Sequence, residues 1–161
     1  MRRFILGLTI FCLGLYSAEA QSTVRQAVFA GNFYPAQTRK LAQAVEDLLA
    51  DAIESSLPKP AAIVVPHAGW VYSGNILADA FRLVSRYSYD VVVLLGTNHR
   101  SPGLEGAAVF ESGSFRTPLG EIPIDEPISK ALVATGKPIV ADGRPHQDEH
   151  SIEVILPFVQ T

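Results

Sequence analysis

Residues 61–69 read AAIVVPHAG, and residues 90–99 read DVVVLLGTNH. Each stretch contains a continuous apolar run, at positions 61–65 and 91–95, and ends in a loop that carries a histidine. Such runs are typical of parallel strands that are buried on both faces. The two runs therefore predict neighbouring strands of one sheet, with His67 and His99 just beyond their carboxyl ends.

The segment between the two runs predicts a helix from about Gly74 to Val84. Its apolar residues recur at helical spacing: Ile76, Leu77, Ala80, Phe81 and Val84. The order strand, helix, strand predicts a right-handed parallel βαβ unit, and hence an α/β fold. Ligands of open α/β sheets bind outside the carboxyl ends of the strands. We therefore expect His67 and His99 side by side at one edge of the sheet.

The rest of the chain continues the mixture of helices and strands. Helices are predicted from a Thr38 cap to about Glu54 and from an Asp125 cap to about Thr135. Further strands are predicted at Ala107–Phe110, within Phe115–Ile124, at Pro138–Val140 and at Ser151–Phe158. The sequence ends at Thr161, inside or just after the last of these strands. We therefore expect a fragment that lacks the C-terminal half of its domain.

The first twenty residues have the pattern of a secretory signal peptide. Arg2 and Arg3 precede an apolar stretch at positions 4–16, and the small-residue sequence AEA follows at 18–20. Cleavage after Ala20 leaves residues 21–161 as the N-terminal part of one domain, exported to the periplasm or secreted. The only cysteine, Cys12, lies in the signal, so no thiol remains to bind a metal.

Composition excludes some classes of partner. The chain of 161 residues has a net charge of -3 and no cluster of basic residues, which argues against nucleic acid. Beyond the signal, no apolar run reaches the ~18 residues that a membrane span requires. We expect a small molecule or a peptide as partner, and no stable membrane span after cleavage.

The four histidines, His67, His99, His146 and His150, all fall in predicted loops or strand ends. Imidazole binds iron, copper and zinc well, and two histidines with one carboxylate form a common non-haem iron site. The sequence offers three carboxylates for that role: Asp148, Glu149 and Glu153. His150 is alternatively a general acid or base, or a group that orients a ligand by a hydrogen bond.

Other residues near the first histidine are candidates for the wall of a pocket. Trp70 and Tyr72 either line it or pack against the sheet. Ser73 either binds an anion at a helix N-terminus or only caps the helix. A Ser-His-Asp hydrolase is not indicated, because the chain has no G-x-S-x-G motif.

Three motifs together resemble the Memo family, also called AmmeMemoRadiSam system protein B. They are PHAGWVYSG at 66–74, GTNH at 96–99 and EHSIE at 149–153, supported by GNFYP at 31–35 and TPLG at 117–120. The resemblance runs from about Arg25 to the end of the chain. It implies a three-layer α/β/α fold with a mostly parallel central sheet, similar to the extradiol ring-cleaving dioxygenases.

The resemblance also implies a metal site at His67 and His99, with His150 in or near its pocket. The third ligand of the family is a cysteine in its second half, which this sequence does not contain. Two positions depart from the usual G-P-S-H-H motif, since Thr97 replaces the proline and Arg100 the second histidine. The cation at position 100 either disfavours a metal or binds an anionic ligand.

Three functions follow as hypotheses, and whether the protein is an enzyme stays open. The first is a Memo-type metal-binding protein with metal-dependent redox chemistry, with iron(II) as the first expectation and copper or zinc as alternatives. The second is a non-haem iron dioxygenase of the extradiol kind that acts on an aromatic substrate. The third is a non-catalytic module that binds a peptide or partner in the same cleft.

Overall fold

The computed structural model describes residues 23–161, so the predicted signal peptide at 1–20 lies outside the described residues. The elements are β1 (Val24–Arg25), α1 (Thr38–Asp51), α2 (Trp70–Val84), β2 (Ala107–Val109), β3 (Ser114–Thr117), β4 (Gly120–Pro123), α3 (Glu126–Ala134), β5 (Ile139–Ala141), a 3-10 turn (Arg144–His146) and α4 (Leu156–Val159). This succession confirms the mixed α/β class that the sequence predicts.

The main core lies where α1, α2 and α4 pack together. Leu41 and Val45, four residues apart on α1, are fully buried there, as is Leu77 of α2. Phe158 of α4 lies against Trp70, with 4.8 Å between the ring centroids. Full burial of one such apolar side chain contributes ~1.5–3 kcal/mol, so these contacts anchor α1 and α4 to α2.

Helix α2 begins at Trp70, four positions before the start predicted from apolar spacing. The backbone N–H of Tyr72 donates to the carbonyl of Gly69 at 2.8 Å, and the Ser73 hydroxyl donates to the carbonyl of Ala68 at 2.9 Å. These bonds close the first turn of the helix directly after His67. The position of that histidine is therefore tied to a rigid element.

Two small sheets complete the structure. One has the order β1-β3-β4, with β1 parallel to β3 and β3 antiparallel to β4, and the other pairs β2 with β5 in parallel. Gly113, with φ of +93°, precedes β3, and a Cβ there would lie 2.0 Å from the Thr23 carbonyl oxygen. Only glycine therefore permits this close approach of the chain beside β1.

The two apolar runs that led the fold prediction do not form strands. Residues 61–65 and 91–95 pair with no strand among residues 23–161. Val64 is fully exposed, and Leu95 is 91% exposed. The prediction of buried neighbouring strands is wrong here because apolar sequence favours burial, whereas a strand also needs a neighbouring segment to pair its backbone N–H and C=O groups.

The strand predicted at Ser151–Phe158 is also wrong. Residues 151–155 form turns, and the short helix α4 follows. Val154, Ile155 and Phe158 are spaced for one face of a helix and are all buried. Pro157 stands in the first turn of α4, where a missing backbone N–H costs nothing.

The predicted helix caps differ in outcome. The side chain of Asp125 accepts a hydrogen bond from the Ile128 backbone N–H at 3.0 Å and caps α3, as the sequence predicts. Thr38 does not cap α1, because the cap position is Gln37 and the Thr38 hydroxyl donates to the Pro118 carbonyl. Within residues 23–161, no helix has the length and apolar character needed to cross a membrane.

Candidate metal centre

His67, His99 and His150 converge on one point of the surface. One ring nitrogen from each lies within 4.8 Å of those of the other two. The ring centroids of His67 and His99 are 5.2 Å apart, and those of His99 and His150 are 4.6 Å apart. We call this group the histidine cluster. The three residues are brought together from positions spread over more than eighty residues of sequence.

Glu149 fixes the orientation of His99. Its Oε2 accepts the His99 backbone N–H at 2.7 Å, and its Oε1 lies 2.9 Å from His99 Nδ1. A carboxylate can only accept here, so Nδ1 carries the proton and Nε2 is the nitrogen left to bind a ligand. Burial raises the pKa of Glu149, but the hydrogen bonds from His99 and Ser151 outweigh it and bring the pKa to about 2. The carboxylate is therefore ionised at neutral pH.

His150 lies in an apolar setting beside the other two rings. Its ring stacks on His99 and contacts the Phe33 ring, with 4.8 Å between the centroids of Phe33 and His150. Burial lowers the pKa of His150 and outweighs the opposing charge of Glu149, and the neighbouring histidines and Arg100 lower it further, so the ring is neutral at physiological pH. Its Nδ1 is buried and makes no hydrogen bond. Glu149 Oε1 lies 3.4 Å from that nitrogen, beyond good hydrogen-bond geometry.

Contacts between loops hold the segments of the histidine cluster together. The Ser151 hydroxyl donates to the Thr97 carbonyl at 2.9 Å, one residue after His150 and two residues before His99. A Cβ at Gly96 would lie 2.5 Å from the Ser151 oxygen, so glycine permits this approach. The indole N–H of Trp70 donates to the Val154 carbonyl at 2.9 Å. These bonds join the loops that follow the two apolar runs to the segment around His150.

Glu153 lies behind the histidine cluster rather than in it. It is fully buried, forms an ion pair with Arg25, and accepts the Tyr34 hydroxyl at 2.6 Å. Burial raises the pKa of Tyr34, and the Glu153 carboxylate raises it further. Sequence reasoning missed Arg25 and Tyr34, since a single basic residue near the start of a domain gives no signal of burial.

None of the remaining candidates contributes a side chain to the histidine cluster. His146 Nε2 lies 3.1 Å from the Ala108 carbonyl, and its ring contacts Phe110. Tyr72 is 86% exposed, and Arg100 and Asp148 are also exposed. Trp70 and Ser73 are buried and bind backbone carbonyls, as described above. Glu149 is the one candidate carboxylate in direct contact with the histidine cluster.

The donor set suits a transition-metal ion. Neutral imidazole nitrogens are common ligands of zinc, copper and iron. The buried Nδ1 of His150 has no hydrogen-bond partner, and a cation bound at that nitrogen would compensate for its desolvation. A histidine that donates its other ring nitrogen to a carboxylate, as His99 does, is a recurrent arrangement in metal sites. His67, His99 and His150 can therefore hold one metal ion.

The chain is similar in sequence to a known protein family over most of its length. The model of a family described as Memo-like protein matches residues 25–161. A MEMO1 family protein of Thermoplasma volcanium is 37% identical over 137 residues, which cover 85% of this chain and 50% of that protein. For the MEMO1 family protein of Sulfolobus acidocaldarius the identity is 40% over 149 residues, covering 85% and 52%. For that of Thermotoga neapolitana it is 34% over 148 residues, covering 85% and 53%.

The chain thus spans about half the length of the curated relatives it matches. The matched region contains all three histidines of the cluster, the carboxylate that orients His99, and the buried pair behind them. Because the family model covers nearly all of the described residues, the chain belongs to the Memo family.

Proposed function

We propose that the protein binds one divalent transition-metal ion through His67, His99 and His150. The observation that carries the proposal is the approach of three ring nitrogens to within 4.8 Å of one another. His150, which the sequence suggested as an acid or base, is here a third ligand. This donor set does not include the cysteine that the family resemblance implied, which belongs to the half of the relatives that the chain does not match.

Iron(II) is the first candidate for the ion, with copper or zinc as alternatives. All three bind imidazole, and three protein ligands leave room for water or substrate. When bound, iron or copper supplies redox chemistry and zinc supplies Lewis acidity. The role of Glu149 in each case is to keep His99 in the tautomer that presents Nε2.

An extradiol-type dioxygenase is the second candidate, and one observation weighs against it. Such iron sites use two histidines and a carboxylate. Both oxygens of Glu149 already accept hydrogen bonds, from the backbone and ring of His99 and from the backbone of His150 and Ser151. The carboxylate would have to break these bonds to bind iron.

A binding module without chemistry is the third candidate, and it predicts no metal at all.

Equilibrium dialysis tests the proposal and compares the three candidate ions. We expect the chain to bind one equivalent of metal from solutions of iron(II), copper(II) or zinc, with iron(II) handled without oxygen. His150→Ala should abolish tight binding. His146→Gln is the matched control, because His146 is the one described histidine outside the cluster. Equal binding by the wild type and the His150→Ala variant would contradict the proposal.

For the fold, we propose that the two apolar runs at 61–65 and 91–95 belong to the mostly parallel sheet of a three-layer domain. Two facts support this: several apolar side chains of the runs, among them Val64 and Leu95, are exposed, and the chain spans about half the length of its relatives. Residues 21–161 then make up the N-terminal part of one domain. The half that the relatives have in addition would supply the strands that pair with the two runs and cover them. Co-folding with that half should protect the amides of both runs from hydrogen exchange.

We also propose that the protein is exported to the periplasm or secreted. The support is the order of basic, apolar and small residues at positions 1–20. N-terminal sequencing of the protein recovered outside the cytoplasm should begin at Gln21. Recovery of the chain with Met1 intact in the cytoplasm would contradict this.

A further inference from the structure

Arg25 and Glu153 form an ion pair that is completely buried, although 128 positions separate them in the sequence. Taking two charges out of water is costly, and a buried pair is often no more stabilising than apolar residues of the same volume. Stability alone therefore does not account for charges at these positions. What the two side chains hold in place is more informative.

The Arg25 guanidinium binds the backbone of the loop that leads to His150. Its Nε donates to the His146 carbonyl at 2.9 Å, and its Nη2 donates to the Glu149 carbonyl at 2.7 Å. The second carbonyl belongs to the residue directly before His150. One planar, rigid group thus fixes the loop at two points on the approach to the ligand.

The Glu153 carboxylate binds the segment whose aromatic rings contact the same histidine. Its Oε1 accepts the Phe29 backbone N–H at 2.8 Å, in addition to the Tyr34 hydroxyl. The rings of Phe29 and Phe33 lie on His150, with centroids 5.4 Å and 4.8 Å from its own. The ion pair therefore joins the loop that carries His150 to the aromatic residues against which its ring rests.

We propose that Arg25 and Glu153 are positioning residues of the metal site, which keep His150 beside His67 and His99. This inference rests on the proposed binding of a metal by the histidine cluster. Neither charged group is a metal ligand, since both make the ion pair and hydrogen bonds described. They act on the metal site only by fixing the position of the His150 ring.

The test uses copper(II) as the probe and the full chain. Affinity is measured by competition with a chelator, and electron paramagnetic resonance reports how many imidazole nitrogens bind the ion. Glu153→Gln keeps the volume of the side chain but removes the charge. We expect it to bind copper ~10- to 100-fold more weakly, a range typical for groups that orient metal ligands. We also expect two coupled nitrogens in place of the three of the wild type.

Two more variants separate positioning from stability. Tyr34→Phe removes one hydrogen bond to Glu153 and leaves the ion pair, so it should fold and show a smaller loss of affinity in the same direction. Val45→Ala creates a cavity in the core beside α1, because Val45 is fully buried. Its side chain makes none of the hydrogen bonds described above. Measured below its melting temperature, it should keep three nitrogens and the affinity of the wild type.

Each result decides between the accounts. Folded Glu153→Gln with three nitrogens and unchanged affinity would overturn the inference, and so would an equal loss in Val45→Ala. If Glu153→Gln does not fold, unchanged affinity in Tyr34→Phe overturns it. Absence of copper binding in the wild type would contradict the proposed function itself, and the inference with it.

Discussion

Glu149 binds His99 twice, through the backbone N–H at 2.7 Å and through ring Nδ1 at 2.9 Å. One carboxylate thus sets both the path of the loop and the rotation of the ring. The neighbouring backbone N–H groups of His150 and Ser151 donate to the same side chain. The geometry of the histidine cluster therefore depends on a residue that is itself no ligand.

Glu149→Gln tests this dependence. The amide has one acceptor oxygen, and its NH₂ group would face an N–H donor of His99. We expect zinc affinity to fall ~10- to 100-fold, as for other groups that orient a metal-binding histidine. Competition with a fluorescent chelator measures the change. Asp148→Asn is the control, since Asp148 is exposed and adjacent in sequence, and affinity equal in both variants would contradict the prediction.

Trp70→Phe should lower the free energy of unfolding by ~1–3 kcal/mol. The substitution keeps an aromatic ring in the core but removes the indole N–H, which leaves the buried Val154 carbonyl without its donor. Urea denaturation measures the difference. Tyr72→Phe removes a hydroxyl from a residue that is 86% exposed and should change stability by no more than ~0.5 kcal/mol. Equal stability of the two variants would argue against the role of the indole bond.

Acidification should destabilise the protein through His146. Burial lowers the pKa of His146 in the folded chain, with a further contribution from the positive charge of Arg25. The unfolded chain takes up this proton at a pKa of ~6.5, whereas the folded chain does so only at lower pH. The unfolded state therefore binds more protons as pH falls below ~6.5, and stability is lost there by at most ~1.4 kcal/mol per pH unit.

The His146→Gln variant isolates this contribution to the pH dependence. We expect its free energy of unfolding, followed by urea denaturation from pH 8 to pH 5, to fall less steeply than that of the wild type below pH 6.5. Both proteins share the contribution of His150, whose pKa is also lowered by burial. Parallel pH profiles for the two proteins would contradict the prediction, because they would mean that His146 has the same pKa in the folded and unfolded states.

The exposed apolar runs should make the isolated chain self-associate. Val64 is fully exposed and Leu95 is 91% exposed, in segments without a pairing partner among residues 23–161. Val64→Lys combined with Leu95→Lys adds charge at little cost to folding, because both side chains already lie in solvent. Sedimentation velocity should show less association for the double variant. Gln43→Lys adds the same charge at an exposed position of α1, away from the runs, and should have no effect. Unchanged association in the double variant would contradict the account.

The sequence predicted the meeting of His67 and His99, but through strands that this chain does not form. Each apolar run ends in a loop whose histidine faces the other, and contacts made after the runs maintain this arrangement. The Ser151 hydroxyl donates to the Thr97 carbonyl. The indole of Trp70, at the start of α2, donates to the Val154 carbonyl. The apolar pattern thus located the loops correctly, whereas strand formation depends on neighbours that no local pattern contains.

Other features left no local signal. The burial of Arg25 depends on Glu153, which is 128 positions away. Neither residue lies in an apolar periodic pattern from which its burial could be predicted. The sequence at 151–158 predicts a strand, although the spacing of Val154 and Phe158 fits a helix equally well. The stacking of His150 on His99 likewise depends on long-range contacts. Such contacts are a property of the folded chain rather than of any stretch of sequence.

The central claim is that His67, His99 and His150 form one metal site, and His67→Ala tests it most directly. The side chain is half-buried, and removing it leaves the hydrogen bonds of Glu149 to His99 in place. Isothermal titration with zinc, next to far-ultraviolet circular dichroism, should show the loss of tight binding with an unchanged spectrum. Undiminished affinity in a folded His67→Ala protein would contradict the three-histidine site.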